Sequence, residues 1–234
     1  MKKTKLKLSQ FYHILSHLGL DDHTYTHVSA RCPSGDGYYI YAFGLCFNEV
    51  SPDNLLKIDF DGKVISGNEE LYNPTGYIIH GEIYNSRPDI NSIAHLHSKE
   101  TIAVSIDMKG LRPISQHALH FYNKISYHNY GSLALSKDHG NSIKADLGRN
   151  YTMLMRNHGS LTCGKTIEES LFYTYHLQKA CEVQCLIMSM NCEISEISNE
   201  ICEKSVNDLL NFEENLGERD FKAWIRNLSL DNIF

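Results

Sequence analysis

The sequence has no C-x-x-C pair, and its seven cysteines are odd in number, so neither a disulfide framework nor a cysteine-built zinc cluster is expected. Cys181 and Cys185, one helical turn apart, read as packing residues. Long apolar runs are also missing. Nowhere do 18 consecutive apolar residues occur, which excludes a membrane-spanning helix, and no apolar stretch follows the first lysines. The expectation is a soluble, unsecreted, cytoplasmic protein with no membrane partner. Basic clusters are scarce as well. A formal charge of -6 and a pI near 6.1 argue against nucleic-acid binding, and the run Lys2, Lys3, Lys5 and Lys7 reads as a solvated terminus.

What the chain holds in excess is histidine, thirteen in 234 residues, of which only clustered ones carry weight. With 42% apolar and 21% charged residues it can bury a sizeable core, and we read residues 1–234 as one domain, a core of about 8–190 followed by a helical tail over 191–234. Leu6, Leu8, Phe11, Ile14, Leu15 and Leu18 keep helical spacing, with Gly19 as C-cap. The β-formers of 24–31 and 38–41, split by Pro33-Ser34-Gly35-Asp36-Gly37, predict a hairpin, and residues 55–65 predict a second around Asp61-Gly62. Residues 76–84 suggest a helix that stops before Arg87-Pro88, because the residue before proline resists helical geometry. Residues 111–135 hold His117, His120, Phe121, Tyr122, Tyr127, His128 and Tyr130 with no clean period, and no element is assigned there.

Two stretches carry the chemistry. Asn91 to Ser98 reads as a strand, and since side chains alternate with period two, His95 and His97 leave one face and can close on one metal ion. Ser98 can then cap a helix starting at Lys99. In the second, an apolar strand from Tyr151 reaches Asn157-His158-Gly159, kinks, and resumes before Gly164. Thr166-x-x-Glu169 then fits a capping box that opens a long helix.

Three segments in order and spacing resemble the class II aldolase and adducin N-terminal domain family over roughly residues 8–190. They are Thr26-His27-Val28-Ser29-Ala30-Arg31 with Phe43-Gly44-Leu45; His80-x-x-x-Tyr84-x-x-Arg87-Pro88-Asp89 leading into His95-Leu96-His97; and Arg156-Asn157-His158-Gly159. The resemblance implies a three-layer α/β/α fold with a mainly antiparallel central sheet, and a homotetramer with its active sites at subunit boundaries. It also implies one divalent ion, zinc foremost with Fe2+ or Mn2+ as alternatives, held by His95, His97 and His158. Three neutral imidazoles with open positions make a catalytic rather than a structural zinc arrangement.

The chain also departs from the family. Where the sugar-phosphate aldolases carry an acid/base Glu four residues before the helix histidine, this chain has Gly76, which cannot move a proton. Where they hold substrate phosphate, it has His27, Phe43, Pro74 and Thr75. Glu82 does not stand in, because on a helix it lies about 120° around and about 9 Å along from position 76. The pattern, with Pro113 to Leu119, resembles the adducin-like bacterial branch. His27, Gly44 and Thr75 remain as substrate-side residues, an imidazole at 27 suiting a carboxylate better than a phosphate. His117, His120 and Tyr122 are candidates for acid/base help. Three readings follow: a metal-dependent lyase, retro-aldol or decarboxylating, on a small hydroxy- or keto-acid or sugar derivative; a non-catalytic oligomerisation domain as in the adducins; or an Fe(II) oxygenase on the same fold.

Overall fold

Eight strands form one sheet in the order β4-β3-β2-β1-β5-β8-β7-β6 in a computed structural model that describes residues 2–134 and 136–233, with only the backbone of Tyr77. The strands are β1 (His27–Arg31), β2 (Tyr38–Ile40), β3 (Leu56–Ile58), β4 (Val64–Ser66), β5 (Ser92–Leu96), β6 (Ile125–His128), β7 (Thr152–Met155) and β8 (Gly159–Gly164). Every pairing is antiparallel except β6 with β7. The helices are α1 (Lys2–His17), α2 (Pro74–Ser86), α3 (Lys99–Ile106), α4 (Gln116–Leu119), α5 (Lys137–Leu147), α6 (Ile167–Ser189), α7 (Asn199–Leu210) and α8 (Glu218–Asn227). The α/β class and the mostly antiparallel sheet are as the resemblance implied.

Strand alternation assigns the faces. On β1, His27 and Ser29 turn toward α2, while the backbone of Val28 meets the Tyr12 hydroxyl of α1 on the other side. On β8, Thr162 meets Thr174 of α6. The caps read from the sequence form: Ser98 accepts from Thr101 N–H, and Thr166 accepts from Glu169 N–H, contacts that typically contribute about 1 kcal/mol each. The Glu169 carboxylate takes the N–H of Lys165 rather than that of Thr166, so the box closes one residue early. Arg87-Pro88-Asp89 is a structural corner. Arg87 grips Asp89 with two hydrogen bonds and the carbonyl of Gly148, and Tyr151 donates to Asp89.

Three expectations need revision. The lysine run is only partly a solvated end: Lys2 and Lys3 are exposed at the start of α1, while Lys5 lies over the Tyr39 ring and Lys7 pairs with Glu168. Helix α2 starts at Pro74, two residues before the expected Gly76, with Asn73 as cap. The region without a clean period holds α4 and β6, and α5 follows unannounced. Its buried residues are few, Gly140, Ile143 and Leu147, and Gly140 lies so close to α2 that a Cβ there would come within 2.7 Å of the Ile78 carbonyl oxygen. Trp224 of the tail packs on His17 and Tyr175, against the body of the chain.

Candidate metal centre

Strands β5 and β7 end, and β1 and β8 begin, at one end of the sheet. This gathers the histidines. His27 of β1 is the direct cross-strand partner of His95 on β5, so both side chains leave the same face. His97 follows β5 by one residue. His158 sits in the turn between β7 and β8, where Asn157 takes φ +59° and the His158 N–H closes on the Met155 carbonyl. Gly159 is required by close approach, since a Cβ there would lie 2.2 Å from the Leu96 carbonyl oxygen and 3.1 Å from the His97 ring. The glycine therefore makes room for strand β5 and its histidine.

The rings of His95, His97 and His158 form a near-equilateral triangle, with centroids 4.8, 4.7 and 4.8 Å apart. A ligating nitrogen from each lies within 4.8 Å of the others. Two of the three tautomers are fixed by their backing. His95 Nδ1–H donates to the Ser160 carbonyl at 3.0 Å, and His97 Nδ1–H donates to the Asp22 carboxylate at 3.0 Å, because neither acceptor can donate. Each Nε2 therefore presents a lone pair, and these two nitrogens face each other at 3.1 Å. Two lone pairs so placed repel unless a cation lies between them. Tetrahedral zinc with bonds of 2.0–2.1 Å would set them about 3.3 Å apart. The donor set fits a divalent ion, and the carbonyl and carboxylate behind the rings are the usual orienting partners of metal-binding histidines.

Electrostatics keeps His95 and His158 unprotonated. Burial, then the neighbouring rings of His158 and His97, holds His95 well below the ordinary histidine range. His158 is lowered to about 4, by burial first and then by His97. Neutral rings are the form that ligates.

Around the triangle lie groups that sequence reasoning placed correctly, misplaced or missed. His27 is buried, its ring 5.2 Å from that of His95, and its Nδ1 is 3.0 Å from His80 Nε2. A Cβ on Gly76 would meet the His27 ring at 3.8 Å, so the imidazole lies over the position that lost its carboxylate. Glu82, set aside from sequence, faces Lys144 of α5 at 3.5 Å. Thr75 spends its hydroxyl on Asn73 at 2.8 Å, and Gly44 forms a turn with φ +101°. Neither Thr75 nor Gly44 makes a described hydrogen bond to the triangle.

His117, His120 and Tyr122 are not brought to the triangle within this chain. His117 and His120 gather on His176 of α6, and Tyr122 donates to Asn199 of α7. Their spacing from the H-x-H strand gave no sign that α4 packs on α6 instead. Asp22, and the pair His128–Asp146 at 2.7 Å with His139 beside it at 3.4 Å, were not singled out; they lie on loops or unassigned elements with no periodicity to mark them.

Comparison with known proteins shows the family and the fold. Residues 7–185 match the family described as Class II Aldolase and Adducin N-terminal domain. A Pseudomonas aeruginosa protein provisionally named an aldolase class 2 protein is 36% identical over 199 residues, covering 85% of this chain and 77% of that one. Alpha-adducin of Rattus norvegicus is 33% identical over 78% of this chain but only 25% of its own length. A solved aldolase II superfamily protein from Pseudomonas syringae superposes with a TM-score of 0.91 at 35% identity, covering 97% of this chain and 92% of that one. L-fuculose 1-phosphate aldolase from Glaciozyma antarctica, 24% identical over 99% of this chain and 90% of its own, shares the fold with a TM-score of 0.86.

Proposed function

Because this chain belongs to the class II aldolase and adducin N-terminal domain family, we propose that it is a divalent-metal-dependent lyase, retro-aldol or decarboxylating, acting on a small hydroxy- or keto-acid or sugar derivative. The observation that carries the reading is the pair of Nε2 lone pairs of His95 and His97, aimed at each other at 3.1 Å with His158 closing the triangle. A non-catalytic module has no use for three convergent imidazoles, one buried and backed by a carbonyl and another backed by a carboxylate. His95, His97 and His158 hold the ion, which supplies Lewis-acid polarisation of a carbonyl. Zinc suits three neutral imidazoles best, and Fe2+ or Mn2+ are the alternatives.

The chain's own side chains set the rest. Asp22 and the Ser160 carbonyl hold the ligand rings in their tautomers. His27 faces the substrate side, over Gly76. Proton transfer falls to imidazoles flanking the triangle, and the His139–His128–Asp146 group on β6 and α5 is our assignment for it in place of His117, His120 and Tyr122. Tyr130, 58% exposed with its ring 6.1 Å from that of His158, stands at the rim of the site. A neighbouring subunit covers that rim in a homotetramer. The whole chain acts as one cytoplasmic domain; among the described residues no helix is long and apolar enough to cross a membrane.

The test is metal analysis of protein purified without chelator or affinity-tag metal, followed by a screen of hydroxy- and keto-acids with the reconstituted form. One equivalent of ion per chain is expected, with no appreciable turnover of fuculose, rhamnulose or ribulose phosphates, given Gly76. Rates on those sugars on the order of 1–10³ per second would sink the assignment. The adducin-like alternative is favoured by the same Gly76, and a metal-free tetramer from that purification would select it.

A further inference from the structure

Behind His27 runs a closed chain of four buried groups. His27 Nδ1 is 3.0 Å from His80 Nε2, His80 Nδ1 is 2.6 Å from Ser29 Oγ, and Ser29 Oγ is 2.8 Å from the Tyr84 hydroxyl. All four residues are at most 3% exposed. Among the described residues, the Tyr84 hydroxyl has no hydrogen-bond partner other than Ser29 Oγ, and His27 Nε2 has none at all. The chain is a dead end inside the protein and open only at the metal pocket.

That topology fixes its direction. Both imidazoles are buried and, among the described residues, hydrogen-bonded only to neutral groups, with no carboxylate against either, so each is neutral. Burial raises Tyr84, so the phenol keeps its proton. Two arrangements then exist. In the first, Tyr84 O–H donates to Ser29, Ser29 O–H to His80 Nδ1, and His80 Nε2–H to His27 Nδ1. Every link is satisfied and His27 is left with a proton on Nε2. In the second the order reverses, and the Tyr84 proton is buried with no acceptor. Each arrangement has one spare donor: the second buries it at Tyr84, whereas the first leaves it on His27 at the pocket end, where a substrate oxygen can accept it, and that difference favours the first.

We propose that the Tyr84–Ser29–His80 chain locks His27 as a hydrogen-bond donor, its Nε2–H directed into the metal pocket to hold an anionic oxygen of a carboxylate-bearing substrate. His27 is then not a base replacing the carboxylate absent at Gly76. It binds and orients, and His80, Ser29 and Tyr84 are positioning residues. A bare acceptor there would repel a substrate oxyanion, whereas an N–H attracts one. The first turn of α2 sits under the same ring and adds its own positive end.

Imidazole nitrogen-15 spectra of the full-length protein, metal-free and zinc-loaded, read the tautomer directly, with His27 and His80 assigned by substitution. The expected result is a proton on Nε2 and none on Nδ1 for both residues. A proton on His27 Nδ1 overturns the proposal. Ser29→Ala removes the lock and should bring both His27 tautomers into view; an unmixed Nε2–H form in that variant would show that the chain does not set the direction. The substrate half rests on the metal reading and has its own probe. Glycolate titrated into zinc-loaded protein should bind tenfold or more weaker in His27→Ala, and equal affinity would overturn it. Loss of zinc binding in the parent protein would sink the metal reading while leaving the tautomer result standing, so the two failures are distinct.

Discussion

Among the described residues stand two triplets of histidine, and they are built differently. In the first, His95, His97 and His158 come from strand ends and a turn, their rings spaced evenly, with the outer nitrogens of His95 and His97 tied to a carbonyl and a carboxylate. In the second, His117, His120 and His176 come from helices α4 and α6 and the residue after α4. His176 lies against His120 with ring centroids 4.2 Å apart and planes tilted by 31°, and packs equally closely on Phe172. His117 and His176 meet through their Nδ1 atoms at 3.0 Å, and His120 Nδ1 donates to the His117 carbonyl. In the second group every Nδ1 is taken up within the group. Composition does not make a metal site; lone pairs held convergent by acceptors behind them do.

The sharpest way to break that contrast is to remove one ring from each triplet. His95→Ala should abolish zinc binding, at least about a thousandfold in affinity as read by competition with a chelating dye, because two imidazoles leave too few ligands. His176→Ala should leave one zinc per chain, and loss of zinc there would erase the distinction. A smaller effect is expected one shell out. Asp22→Asn keeps the shape but replaces the carboxylate behind His97, and should weaken zinc by about 10–100-fold without unfolding the chain. An unchanged affinity would mean that the carboxylate does not orient His97.

The smallest effect belongs to the second triplet and is seen only in acid. Burial first, then His120 and His117, lowers His176 to about 3. Unfolded, it would protonate near pH 6.5, so between those values the unfolded chain binds more protons and stability falls as pH falls. In His176→Leu, urea midpoints measured from pH 7 to pH 4 should decline less steeply than in the parent. An identical slope would show that His176 is not held neutral by its packing.

How far the sequence could be read depended on periodicity. The H-x-H strand and both hairpins announced themselves as short runs of β-formers between turn residues, and α1, α3 and α6 through helically spaced apolar residues and the caps at Ser98 and Thr166, although β5 is buried on both faces. Helix α5 did not, since it docks through Gly140 and a few contacts rather than through an apolar stripe. The segment with His117 and His120 did not either, since its short pieces are fixed by what packs on them.

The sequence alone, through alternation on β5 and the kink at Asn157-His158-Gly159, determined that His95 and His97 share a face and that His158 stands at a strand end, and the motif order placed the chain in its family. Only the tertiary structure decided which residues stand behind those rings. Asp22 reaches His97 across 75 positions of chain, and His80 reaches His27 across 53, because antiparallel pairing and the packing of α2 under β1 bring them there. Hydrogen bonds of that range leave no local pattern in the sequence. Whether an imidazole donates, accepts or ligates is set by the partner on its far nitrogen, and that partner is a fact of the folded chain.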